Sequence, residues 1–206
     1  MRVTAETRAA TRERILEASR QLFAENGFEI ATTRDIAYKA EIGVGTLFNY
    51  FPAKEVIVAT LAADAIAEML QEFGQKGTPA DSLEEELFAF VAAGLRKLKP
   101  FRKQIPIILE TALSPLAGDG NGENYTLRVL HLETVIQLVR RHDVAELSPV
   151  ALQMYWSLYT GLLSFWAGDK SPRQEDTLAL LDHSTEMFVG WLRDHTAAPT
   201  NRSKPK

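Results

Sequence analysis

The sequence predicts an all-α fold. Apolar residues recur at three- and four-residue spacing through most of the chain, and no stretch sustains the two-residue alternation of a half-buried strand. The periodic segments are also punctuated as helices are, opening on Thr, Ser or Ser-Pro and stopping at Asn-Gly, Gly or Pro. The 206 residues suffice for one large or two modest domains, and 46% hydrophobic with 24% charged residues is ordinary for a soluble globular chain. The absence of cysteine excludes disulfides, thiolate metal sites and cysteine nucleophiles, and is compatible with a reducing cytoplasm. The first residues, Met-Arg-Val-Thr-Ala-Glu-Thr-Arg, lack an apolar signal core, and no apolar run reaches the ~18 residues of a membrane span. The expectation is a cytoplasmic protein with no membrane partner. Net charge is −4, which argues against coating nucleic acid by charge alone.

Met1 to Ala10 carry charge without apolar periodicity and read as a flexible arm. Arg2 and Arg8 are candidates for phosphate or minor-groove contact, against the alternative of a solvated terminus. The first helix is expected from about Thr11 to Glu25, with Ile15, Ala18, Leu22 and Phe23 on one stripe and Gly27 as its left-handed stop. Thr32 to Lys54 then organises the chain. Thr32 can cap a short helix, with Asp35 closing a capping-box-like pair, and Ile36, Ala37 and Ala40 line one face. Glu41-Ile42-Gly43 is a break of turn length. A second short helix runs through Leu47 to Phe51 and ends at Pro52. Two short helices joined this way form a helix-turn-helix, whose second helix can enter a DNA major groove. Leu47 and Phe51 share its inward face. Gly43 and Gly45 cost helix stability, about 1 kcal/mol each if interior, but their missing side chains would let a DNA backbone approach.

Thr-x-Arg-Asp-Ile-Ala, then Ala40, then Gly45-Thr46-Leu47-Phe48-Asn49-Tyr50-Phe51-Pro52-x-Lys54-Glu55 resembles the DNA-binding domain of TetR-family transcriptional repressors. The resemblance covers Thr11 to Glu55, about a quarter of the chain. Within that motif Thr46, Asn49 and Tyr50 are the expected DNA contacts. Hydroxyls suit phosphate, and Asn can read adenine in the major groove. Thr33, with the amides opening its helix, and Lys54 suit further phosphates. Gly43, Val44, Gly45 and Phe48 complete the expected face. The pattern departs from many relatives, which have Gly at Glu41, Ser at Gly43, Lys at Val44 and Tyr at Phe48. A phosphate-seeking Lys is therefore missing, Phe48 lacks a hydroxyl, and Val44 is a candidate for a thymine methyl. These departures bear on which operator is read.

A fourth helix, from Lys54-Glu55 to about Phe73, carries too much apolar surface for a one-sided helix. As the continuous link to the rest of the chain it is the natural lever. Gly74 to Pro79 is a loop. Ser82, paired with Glu85 in a capping box, opens the next helix, and Pro100 breaks it. Phe101 to Leu113 is disturbed by Pro106. Ser114 to Asn124 reads as a mobile loop, and a helix from Asn124 or Tyr125 reaches Arg141. Ser148-Pro149 starts a helix to about Ala167; Gly168 to Pro172 is a turn, and the last helix runs from about Arg173 to His195. These two helices have more apolar surface than one neighbour covers, and Ser157, Gly161 and Ser164 form a small-residue strip. The resemblance implies that they form a homodimer, with Leu162, Phe165, Trp166, Leu181 and Phe188 as its expected contacts. Thr196 to Lys206 reads as a disordered tail. The result is about nine helices in two domains, 1–55 for DNA and 56–195 for effector and dimer, followed by the tail 196–206.

A cavity is expected between the helices of Ser82–Leu113, those of Tyr125–Arg141, and Tyr155 to Tyr159. Its expected walls are Phe90, Ile105, Leu109, Leu130, Tyr155 and Tyr159, with Glu110, His131 or Gln137 as polar anchors. For Glu110 a satisfied helix-face carboxylate is the competing reading. The four histidines are scattered, and His131 and His142 stand too far apart for one metal, so no metal and no cofactor are expected. No phosphate loop, nucleophile elbow or supported acid pair suggests an enzyme. By resemblance, the reading is a ligand-responsive DNA-binding regulator, most simply a repressor released from a palindromic double-stranded operator by a small apolar or amphipathic effector. The rivals are a DNA-binding scaffold without effector, and an all-α carrier or enzyme with an incidental helix-turn-helix.

Overall fold

A computed structural model of the chain describes residues 4–75, 80–113, 122–142 and 147–196. Every regular element among them is helical. The chain divides into two compact units, Met1–Ala63 and Asp64–Lys206, so the border falls inside one helix.

In the first unit, α1 spans Ala5–Asn26 and therefore begins before the expected Thr11. Thr4 caps it, its side chain accepting from the Thr7 N–H at 3.2 Å. Ala5 to Ala10 are all exposed, so they add no apolar stripe. Alanine-rich propensity and a good cap extend the helix where periodicity is silent. Thr11, Ile15, Leu16, Ala18, Ser19 and Leu22 are buried, and Gly27 ends the helix at φ 82°. Helix α2, Thr33–Lys39, carries the complete expected capping box. The Asp35 amide donates to Thr32 Oγ1 at 3.2 Å, and the Thr32 amide donates to Asp35 Oδ2 at 3.0 Å. The Thr32 hydroxyl, donating to Asp35 Oδ2 at 2.6 Å, and the Thr32 amide together hold the Asp35 carboxyl below its ordinary pKa.

The turn after α2 is a Schellman motif. The Ile42 amide donates to the Ala37 carbonyl at 3.0 Å and the Glu41 amide to the Tyr38 carbonyl at 3.1 Å. Glu41 sits in the left-handed region at φ 56°, a position that usually goes to glycine. Helix α3, Val44–Tyr50, follows. Helix α4, Lys54–Gly74, begins in the first unit and ends in the second.

In the second unit, α5 spans Leu83–Leu98, with the Glu85 amide donating to Ser82 Oγ at 3.2 Å. A 3-10 stretch, Lys99–Gln104, leads into α6, Ile105–Ile108, and a π-helical turn, Leu109–Leu113. Pro106 sits in the first turn of α6, where its missing N–H has no partner to lose, so it opens this helix. Helix α7 is Gly122–Arg141 and α8 is Pro149–Gly168, the latter capped by Ser148 as expected. Helix α9 is Glu175–Thr196, after a 3-10 turn at Pro172–Gln174. Most of the expected loop at Ser114–Asn124, and the tail beyond Thr196, lie outside the described residues, as do Met1–Val3 and most of the Gly74–Pro79 loop.

Helix α5 is central to this unit and packs against α7 and α9, while α8 packs against α9. Its buried Glu86 carboxylate meets His142 Nε2 at 2.6 Å and Arg141 Nη1 at 3.3 Å at the end of α7. The α8–α9 turn is tied by Asp169, which accepts from the Ser171 amide at 2.8 Å and the Thr177 amide at 3.1 Å. With the Thr177 hydroxyl bond, these hold its carboxyl far below the usual range. Arg102 Nε donates to the Trp166 carbonyl at 2.8 Å, and Trp166 Nε1 to Gln174 Oε1 at 2.7 Å.

Candidate functional site

Helix α3 has one fully buried residue, Leu47, and Phe51 just beyond it is also buried. These two residues anchor the helix and leave the rest of its surface outward. Gly43, Gly45, Thr46, Phe48 and Asn49 are exposed, while Val44 and Tyr50 are half-buried. Phe48 is 46% exposed, so half of its ring is open to a partner. A Cβ at Gly45 would meet nothing within 4 Å. The expected DNA face thus forms one outward surface, with hydroxyl, amide and ring groups presented from a short rigid helix. Thr33 is half-buried at the start of α2.

Lys54 is placed differently from the expectation. Its Nζ donates to the carbonyls of Phe28 at 2.6 Å and Ala31 at 3.1 Å, and lies 4.3 Å from the Phe28 ring centroid. The loop between α1 and α2 has backbone acceptors with no helix to satisfy them, and Lys54 supplies the donors. Its charge is directed at this loop rather than outward. Lys39 is also engaged, pairing with Glu25 at 3.2 Å. Arg8 lies 6.0 Å over Tyr50 and Arg12 5.6 Å over Phe51, so α1 brings two guanidinium groups to the end of α3. One residue that the motif did not single out also stands at this surface. Tyr38 on α2 is 88% exposed, at the lip of an open cleft shared with Lys39, Glu41, Ile42 and Gly43. The sequence signal for it is its position four residues after Arg34, off the face of Ile36, Ala37 and Ala40.

In the second unit the expected effector residues separate into two sets. Phe90, His131, Tyr155 and Tyr159 come together as a buried ring cluster. His131 Nε2 and the Tyr155 hydroxyl are 3.0 Å apart, and the His131 ring centroid is 4.9 Å from Phe90 and 4.4 Å from Tyr159. Burial pushes the His131 pKa down to about 3 and raises those of both tyrosines, so all three are neutral near pH 7. Ile105 is buried and Leu109 half-buried. By contrast Leu130, at 41% exposure, and the exposed Glu110 and Gln137 do not line this cluster. Helix α7 turns His131, Val135 and Leu138 inward at helical spacing, which carries Leu130 and Gln137 outward. Trp156, beside His131, has an indole N–H with no partner among the described residues. A small cavity of about 20 Å³ lies between α5, α8 and α9, lined by Leu87, Val91, Leu158 and Phe188 together with Tyr155 and Tyr159.

Of the expected dimer contacts, Phe165 is 45% exposed, but Leu162, Trp166, Leu181 and Phe188 are each at most 3% exposed within the single chain. They close the protomer's own core, because α8 and α9 pack on each other and on α5 and α6. The outward apolar residues of α8 and α9 are instead Val150, Phe165, Leu178, Leu180 and Met187. Among the described residues no three His, Asp or Glu converge as a metal set, and no helix is long and apolar enough to cross a membrane.

The family model described as "Bacterial regulatory proteins, tetR family" matches residues 15–61, from within α1 into α4. The chain is 41% identical over 51 residues to the HTH-type transcriptional regulator UidR of Escherichia coli (strain K12), a match covering 25% of this chain and 26% of that protein. It thus spans about a quarter of the length of the first curated relatives it matches. Solved structures share the fold over most of the chain. A TetR transcriptional regulator from Rhodococcus sp. RHA1 superposes with a TM-score of 0.68 at 17% identity, covering 88% of this chain and 97% of that one. Thermus thermophilus FadR, a TetR-family transcriptional repressor in complex with lauroyl-CoA, does so with a TM-score of 0.60 at 19% identity, covering 95% and 100%. Residues 15–61 therefore match the tetR-family model, and most of the chain shares its fold with solved TetR-family regulators.

Proposed function

We propose that this protein is a homodimeric, ligand-responsive DNA-binding transcriptional regulator, acting as a repressor in the cytoplasm rather than as an enzyme. The observation that carries the reading is α3: a short helix, anchored through Leu47 and Phe51, that presents Thr46, Phe48 and Asn49 outward. Asn49 reads a base edge, Thr46 and Tyr50 hold phosphate, and Thr33 holds a further phosphate beside them. Gly43, Val44 and Gly45 make close apolar approach to the groove wall. Two such helices, related by a two-fold axis, read a palindromic site. Phe165 and Met187 on the outward surface of α8 and α9 make that pairing, in place of the four residues the protomer already buries.

The effector is a small, largely apolar molecule held at Tyr155 and Tyr159, which belong both to the neutral ring cluster and to the wall of the small cavity. Burying a charge there would be costly, which favours an uncharged or amphipathic ligand. One structural neighbour of 19% identity was solved with lauroyl-CoA, so the fold can hold a ligand with an acyl part. Release follows if the effector prefers a geometry in which α4 turns the first unit away from the DNA; a ligand with equal affinity for both states would shift nothing.

The test uses a duplex selected by the wild type from a randomised pool. Asn49→Ala weakens binding to it by about 1–3 kcal/mol and relaxes preference at one base pair. Equal affinity and equal sequence preference in both proteins would sink the reading.

A further inference from the structure

We infer that Tyr38 is a DNA-backbone contact, and that this helix-turn-helix takes up phosphate through neutral donors more than through lysine. The inference rests on the DNA-binding reading above and adds to it a residue and a physical mode. Two of the cations nearest the recognition helix have other occupations. Lys39 is paired with Glu25, and Lys54 is bonded to the carbonyls of Phe28 and Ala31. The first residue of α3 is the uncharged Val44, and the turn before it adds an exposed carboxylate at Glu41. The start of α3 is therefore poor in lysine charge, while the guanidinium groups of Arg8 and Arg12 lie at its other end.

Tyr38 stands near the start of α3. It is 88% exposed, so its ring contributes little to the packing of its unit and its hydroxyl is open to a partner. It shares an open cleft with Ile42 and Gly43, the last residues before α3. The cleft is roomy, since a Cβ built on Gly43 would meet only Thr46 Oγ1, at 3.8 Å. Arg34, one turn earlier on α2, lies on the same exposed face at four-residue spacing. A phenol can lay its ring against a sugar and donate its O–H to a phosphate oxygen. Arg34 supplies the one formal charge of the pair. A neutral donor releases no counterion, so it contributes affinity without steepening the salt dependence.

The experiment measures binding of the full chain to the duplex selected by the wild type, and to an unrelated duplex, across a salt series. Tyr38→Phe is expected to weaken both duplexes by a similar factor, roughly three- to tenfold, with the salt slope unchanged. Tyr38→Ala should weaken them further, also without changing the slope. Arg34→Gln should reduce the magnitude of the slope by about one. Thermal midpoints of both Tyr38 variants should match the wild type, because the ring is not part of the core. Wild-type affinity in both variants overturns the assignment, as does a lowered midpoint, which would make the ring a packing residue. Loss confined to the selected duplex also overturns it, since that would be base reading. A wild type that retains no duplex from the pool overturns the DNA-binding reading itself, and this assignment with it.

Discussion

Replacing Lys54 by Met keeps the apolar stem and removes the ammonium, which separates two roles that a lysine at this position can have. The ammonium donates at 2.6 Å and 3.1 Å to two backbone carbonyls and sits 4.3 Å from an aromatic ring. A hydrogen bond from a charged donor contributes about 1.5–3 kcal/mol, and an exposed cation–π contact about 0.5–1 kcal/mol. Lys54 is half-buried, so solvent offsets part of this for the methionine variant, and the expected net loss is about 2 kcal/mol. The loss should be local, since the bonds tie the Phe28–Ala31 loop to the start of α4 and so set the approach to the Thr32 cap. Amide exchange of the full chain reads it directly. Protection of the Ile36 and Leu47 amides should fall about 30-fold, while α8 and α9 keep theirs. A salt series on the selected duplex supplies the second reading, with an unchanged slope expected. Unaltered protection in α2 and α3, together with a slope reduced by about one, would refute the tether and return Lys54 to the phosphate role that its charge and position suggest.

Glu41→Gly should stabilise the first unit by about 0.5–1 kcal/mol, seen as a higher urea midpoint, because glycine occupies φ 56° without the steric cost that glutamate bears. His131 is neutral when folded, with its pKa pushed down to about 3, while the unfolded chain titrates near 6.5. The unfolded state then binds more protons between those values, so stability falls as pH drops through that window, at most by about 1.4 kcal/mol per unit. His131→Gln should flatten the slope of unfolding free energy between pH 6.5 and 5, above the range in which Asp35 and Asp169 titrate; an unchanged slope would exclude a buried neutral imidazole. Phe165→Asp or Met187→Asp should yield folded monomers by light scattering and weaken operator binding, since both side chains face outward; dimers of undiminished stability would place the interface elsewhere. Trp166→Asp, by contrast, should unfold the protomer, because Trp166 is buried and its indole is bonded to Gln174.

Short-range chemistry is legible in the amino-acid sequence itself. The Thr32–Asp35 box, the stop at Gly27, the Ser82 and Ser148 caps and the Leu47–Phe51 anchor each depend on residues within five positions of one another, and each is present. The local motif likewise identifies the helix-turn-helix and its outward face, because the Leu47 anchor of so short a helix leaves Gly45, Thr46, Phe48 and Asn49 exposed. What the tertiary structure decided were the partners. Lys54 has a charge suited to phosphate, but Phe28 and Ala31, more than twenty residues earlier, present the carbonyls that engage it. Leu162, Trp166, Leu181 and Phe188 are apolar enough for any interface, yet the packing of α8 and α9 within the protomer buries them and leaves Phe165 and Met187 outward. Leu130 and His131 are adjacent in sequence and differ by about 100° on the helix; only the docking of α5 and α8 against α7 determines which of the two is core. Periodicity states how much apolar surface a helix must cover, but not which neighbour covers it, because hydrophobic burial is non-directional.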